Sequence, residues 1–224
     1  MYRLFLLISV FFSLNIQAQK VPNTEKKWAW LGFERPEGVN PIVRPDTTSR
    51  FYCPMHKRVA QWENSETFNP AATIINGGIA LLYRAEDNIA KGIGSRTSRI
   101  GYAFSEDGIH FQHHGAPVLY PGGDEWTDFD APGGCEDPRV CMTEDGLYVM
   151  TYTSWNHKLA RLSVATSRDL VHWTKHGPIF SDEHKSQLSK GYSKSGSIVT
   201  EIKNGRQVIA RINGKYMMYW GENF

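Results

Sequence analysis

Laid on itself with a step of 68 residues, the chain repeats without gaps: FNPAATIINGGIALLYRAE, from Phe68, falls on EDPRVCMTEDGLYVMTYTS, from Glu136. Asn69 then lies on Asp137, Pro70 on Pro138 and Gly78 on Gly146, and the same step carries Gly146 to Gly214 in INGKYMMYW. A second series, with a step of 62, places RIGYAFSEDGIHFQHHG, from Arg99, on RLSVATSRDLVHWTKHG, from Arg161, so that Ser105, Asp107 and His110 meet Ser167, Asp169 and His172. Short runs rich in Val, Ile, Tyr, Phe and Trp, bounded by Gly, Asn, Asp and Pro, read as strands and hairpins. Each unit is therefore a leading x-Pro strand, a glycine hairpin, a middle strand and an A-x-S-x-D hairpin into an outer strand. Four strands in a repeat of about 60 to 70 residues is the pattern of a β-propeller blade. A β-sandwich with coincidental turn spacing is the alternative.

The units that can be counted begin near Asn69, Asp137 and Ser195, and the third reaches only its middle strand by Phe224. Three incomplete blades do not close a ring, and an open ring exposes strand edges. The expectation is a fragment, or a chain completed by self-association or by further C-terminal blades.

The start, MYRLFLLISVFFSLNIQAQ, carries an apolar run from Leu4 to Ile16 and a small residue, Ala18, at a cleavage edge. It reads as a secretory signal peptide over residues 1–18, and the run is short for a membrane span. Residues 19–50 form a segment leading into a partial propeller domain over 51–224, secreted or periplasmic. With a formal charge of +2 and scattered basic residues, no nucleic-acid footprint appears. No membrane contact is expected once the leader is removed. Cys53, Cys135 and Cys141 allow at most one disulfide. Cys135 and Cys141 on one strand would stand roughly 20 Å apart, too far to bridge. All three read as buried apolar groups, and no metal-ligand spacing links them to the histidines.

In a propeller the leading strands line the axial channel, so Asn69, Asp137 and the KSGS of residues 194–197 become neighbours. A partly desolvated carboxyl beside Glu136 favours its protonated form, which suits Asp137 to act as a general acid. The plainer reading is a turn cap ahead of a strand-starting proline. LLYRAED adds Arg84, Glu86 and Asp87, which on an ordinary surface would be a solvated ion pair. Trp62, Tyr83, Trp155, Tyr192 and Trp220 could stack on sugar faces, although most strand aromatics are core. KGIGSR lacks the third glycine and the helix of a nucleotide loop.

NPIVRPD (40–46), FNPAA (68–72), LLYRAED (81–87), TSRIGYAFSEDGIHF (97–111), EDPRV (136–140), KSGSIV (194–199) and INGKYMMYWGE (212–222) together resemble glycoside hydrolase family 130. The resemblance implies an all-β, five-bladed β-propeller, of which this chain covers about three blades as an incomplete ring. It also implies inverting cleavage of β-mannoside oligosaccharides. By resemblance Asp137 is the catalytic acid, Asn69 and Arg84 hold the mannose, and Glu136 flanks the acid; Asp87, Arg139 and Lys194 complete the substrate-binding set. Where the family's phosphorylases carry basic residues for phosphate, this chain has SKSGS and YWGE. Lys194 keeps one charge, but Glu222 would repel phosphate and is a candidate base for water, with carboxyls roughly 6.5 to 9.5 Å apart in an inverting hydrolase. Hydrolysis is the expectation, phosphorolysis to mannose 1-phosphate the alternative, and a non-catalytic sugar-binding propeller the third reading. No metal or organic cofactor is implied, only inorganic phosphate as co-substrate in the phosphorolytic case.

Overall fold

In the computed structural model of this chain the described residues are residue 32, residues 34–180 and residues 190–223, with the side chains of 222 and 223 excepted. The leader expected over residues 1–18 lies outside them. The chain divides into Met1–Gly38 and Val39–Phe224. In the first, the described residues are exposed coil with a turn at Glu37 and Gly38. Every strand among the described residues lies in the second.

A small hairpin, β1 (Phe51–Cys53) with β2 (Arg58–Ala60), precedes two four-stranded antiparallel meanders. The first is β3 (Glu66–Ile75), β4 (Gly78–Glu86), β5 (Ser98–Ser105) and β6 (Gln112–His113). A four-residue helix, α1 (Thr127–Asp130), leads to the second, β7 (Gly134–Met142), β8 (Tyr148–Trp155), β9 (Ala160–Ser167) and β10 (Thr174–Pro178). A third sheet opens with β11 (Tyr192–Ile198). Two further hairpins follow, β12 (Thr200–Lys203) with β13 (Arg206–Ile209) and β14 (Arg211–Ile212) with β15 (Lys215–Tyr216). Only then does β16 (Met218–Asn223) pair with β11. Among the described residues the architecture is all-β and propeller-like, and the strands do not close into a barrel.

The 62-residue series holds residue for residue: β5 and β9 start and end 62 residues apart. In each, the aspartate after the strand accepts two backbone N–H groups and a histidine, Asp107 from Ile109 and His110, Asp169 from Val171 and His172. The 68-residue series slips by one beyond its turn. The β3–β4 turn is Asn76-Gly77, both at positive φ (51° and 79°), the two-residue geometry that Asn-Gly favours. After β7 the turn spans residues 143–147, with Gly146 at φ 84°. The counterpart of Gly146 is thus Gly77 rather than Gly78, and Glu136 pairs with Thr153 where Phe68 pairs with Arg84. Gly214 closes the β14–β15 hairpin inside the third connection, not the turn between β11 and β16.

Alternation along β4 explains both the core and the site. Ala80 and Leu82 point into a cluster with Ile100, Cys135, Val140, Met150 and Ala165. Tyr83 and Ala85 point the other way, onto Trp62 and Ala103. Full burial of a side chain such as Leu82 contributes about 2 kcal/mol. Continued toward the strand end, the first face presents Arg84 and Glu86. The three cysteines are free and buried.

Between the meanders β7 meets β5 in a single parallel pair, Ser98 with Gly134. Gly134 has φ 112°, and a Cβ there would lie 2.0 Å from the Ser98 carbonyl oxygen. Only glycine permits this approach, and it brings Glu136, two residues on, to Ser98 at the start of β5.

Candidate active site

Each leading strand carries the same defect. The ladder slips between Phe68 and Ala71, between Glu136 and Arg139, and between Lys194 and Ser197. Inside these bulges Asn69, Asp137 and Ser195 have φ of 47°, 50° and 57°. Asn and Asp tolerate this left-handed region better than most residues. The prolines that follow, Pro70 and Pro138, have no N–H to lose from the ladder. A bulge re-aims a side chain out of the pleat, and Asn69 Nδ2 donates to Asp137 Oδ1 at 2.9 Å. Two of the three expected neighbours are in contact.

The centre of the site is Arg84, whose side chain is 5% exposed. Its Nη2 lies 2.6 Å from Glu86 Oε1 and 2.9 Å from Glu136 Oε1, and its Nη1 lies 3.2 Å from Asp137 Oδ1. Its Nε donates to Ser98 Oγ at 3.0 Å, and Phe68 covers it at 4.7 Å from ring centre to guanidinium. Arg96 Nη1 holds Glu86 Oε2 at 3.3 Å and Glu66 Oε1 at 3.1 Å. Exposure grades outward: Glu86 0%, Glu136 13%, Asp137 21%. Asp137 is thus the most open of the three carboxyls on Arg84.

Three carboxylates cannot all be paid in charge by one buried guanidinium. Burial, opposed by Arg84 and reinforced by Asp137 and Glu86, pushes the Glu136 carboxyl up to about 7. Burial works against the Arg84 charge, but Glu136, Asp137 and Glu86 outweigh it and raise its pKa. The site therefore joins an open carboxyl, a fixed cation and a neighbouring acid that takes up a proton near neutrality, the components of general acid chemistry.

The structure does not bring every expected residue here. Asp87 follows the strand parity to the opposite face, where its Oδ2 pairs with the buried Arg99 at 2.8 Å, so it is not placed to bind substrate at Asp137. Arg139 is exposed beyond the bulge, opposite Thr151. Lys194 is exposed in the third bulge and pairs across the ladder with Gly221. The backbone of Glu222 pairs with Ser193, and its side chain lies outside the described residues. Trp62 and Tyr83 are core, whereas Trp155 is partly buried with its ring 6.4 Å from that of the exposed Tyr192. Trp220 is also exposed. Sequence reasoning named Glu86 beside Arg84 without giving it a role in the site, and missed Ser98 and Arg96. The spacing Arg84-x-Glu86 was the available signal, since alternate strand residues share a face.

Residues 35–223 match the glycoside hydrolase 130 family, described as β-1,4-mannooligosaccharide phosphorylase. A 1,2-β-oligomannan phosphorylase of Thermoanaerobacter sp. (strain X514) is 34% identical over 169 residues, 73% of this chain and 49% of the relative. A solved structure from Bacteroides thetaiotaomicron VPI-5482 is 61% identical with a TM-score of 0.84, over 87% of this chain and 56% of that one. Another, at 55% identity and TM-score 0.84 over 87% of this chain and 54% of that one, is described with glycoside hydrolases that target β-1,2 mannosidic linkages in Candida mannan. The chain spans about half the length of the curated relatives it matches.

Proposed function

The chain belongs to glycoside hydrolase family 130, and from that premise we propose that it cleaves β-1,2-mannosides with inversion, Asp137 giving its proton to the glycosidic oxygen. The observation that carries this reading is the convergence of Asn69 and Arg84 on Asp137, the most exposed of the three carboxyls on Arg84. In this scheme Asn69 and Arg84 orient the acid and the sugar hydroxyls next to it, and proton donation turns the leaving alkoxide into an alcohol. The β-1,2 linkage follows the relatives' substrates.

For the second reactant we favour water, with Glu222 as its base. The 55% identical relative described with hydrolases supports this. Phosphorolysis is the second reading, supported by the family description and the 34% identical relative; Lys194 would then bind phosphate. The meanders are read as blades of a five-bladed ring, and the leader as directing the protein out of the cytoplasm, where mannose is the more usable product. The test is incubation with β-1,2-mannobiose, with and without inorganic phosphate. Free mannose formed equally in both supports hydrolysis, and mannose 1-phosphate formed only with phosphate supports phosphorolysis. Cleavage undiminished in Asp137→Asn would remove Asp137 as the acid.

A further inference from the structure

The cluster holds a charged group that substrate cannot touch. The Glu86 side chain is fully buried: Oε1 accepts from Arg84 at 2.6 Å and from Ser98 Oγ at 3.2 Å, and Oε2 faces Arg96 at 3.3 Å. The groups facing this centre are Glu66, Phe68 and Asn69 from β3, Arg84 from β4, Arg96 ahead of β5 and Ser98 on it, and Glu136 and Asp137 from β7. Lys194, exposed on β11, is the charged residue at the matching bulge of the third sheet.

An uncompensated guanidinium about 3 Å from a carboxylic acid strips its proton, because the opposite charge favours the ionised form. A proton donor resting on Arg84 is therefore workable only if that cation is cancelled from another side. We propose that Glu86 is a positioning residue of this site: it neutralises Arg84 from the buried side, so that the guanidinium does not strip the proton from Glu136, beside the proposed donor Asp137. Arg96 works in the opposite sense, because it shares Glu86's charge through the other oxygen. This inference rests on the reading of Asp137 as the proton donor.

Opposite signs make the test sharp. In Glu86→Gln the Arg84 charge is uncancelled, and Glu136 loses its proton at a pH lower by about one unit, the size expected for one nearby charge in a partly buried site. In Arg96→Gln, Glu86 acts on Arg84 alone, and the same step moves to higher pH. Glu86→Asp, which keeps the charge, restores the wild-type position. The step is read in two ways: by carbon-13 titration of the side-chain carboxyls in the unliganded chain, and by the alkaline limb of the pH profile of kcat/KM on β-1,2-mannobiose. If the wild-type chain does not cleave mannobiose, the proposed function fails while the carboxyl titration still decides this inference. Shifts of the same sign in both variants, or none in either, overturn it. Should Glu86→Gln not fold, Arg96→Gln decides, and an unchanged or lowered step refutes the role of Glu86.

Discussion

Replacing Glu136 by glutamine keeps the shape of the Arg84 cluster and removes its most perturbed proton-binding group. The Glu136 carboxyl is raised from 4.5 to about 7, chiefly by burial. At about 1.36 kcal/mol per pH unit this corresponds to about 3 kcal/mol. Because the folded value lies above the unfolded one, the folded chain binds more protons between the two. Stability from this group is fully present below about 4.5 and is lost as pH rises through about 7. Wild type should thus lose about 3 kcal/mol between pH 4.5 and pH 8 relative to Glu136→Gln. A kilocalorie moves the melting temperature of a chain this size by about 2–4 °C, so the variant should melt about 6–12 °C above wild type at pH 8 and level with it at pH 4.5. Urea unfolding at several pH values gives the difference directly. Parallel stability curves for the two proteins across this range would refute the claim that burial beside Arg84 raises the Glu136 carboxyl.

Gly134→Ala places a Cβ 2.0 Å from the Ser98 carbonyl at φ 112° and should cost at least about 3 kcal/mol by forcing β7 off β5. Gly146→Ala, at φ 84° with nothing within 4 Å, should cost only about 1 kcal/mol, and chemical denaturation of the pair separates clash from backbone strain. Asp87→Asn breaks the buried pair with Arg99 and should destabilise by about 3 kcal/mol while leaving KM for β-1,2-mannobiose unchanged. A raised KM with unchanged stability would return Asp87 to the substrate site.

Much of this arrangement was readable in one dimension because both of its periodicities are local. Turn chemistry marks Asp107 and Asp169, and the 62-residue series became β5 and β9 without adjustment. The units were read as starting near Asn69, Asp137 and Ser195, and all three residues occupy the same left-handed bulge position. The overlay went astray at Gly78 because an insertion of a single turn residue shifts a ladder register while leaving composition and apolar pattern almost unchanged. Asp87 lies apart from the Arg84 cluster for a related reason: proximity in LLYRAED hides the parity that sends Arg84 and Glu86 one way and Asp87 the other.

The amino-acid sequence by itself determined the strand class and the repeated four-strand plan, since these depend on turn residues and alternation along a few contiguous residues, and its motifs carried the resemblance to the family. It also singled out Asp137, whose neighbour Pro138 and repeat partner Asn69 mark a bulge. Only the tertiary structure decided which charges meet. Arg84, Ser98 and Glu136 belong to three strands, brought together by the parallel pairing that Gly134 permits. The energy of that meeting depends on distance and burial, quantities set by how the two meanders pack rather than by any spacing along the chain.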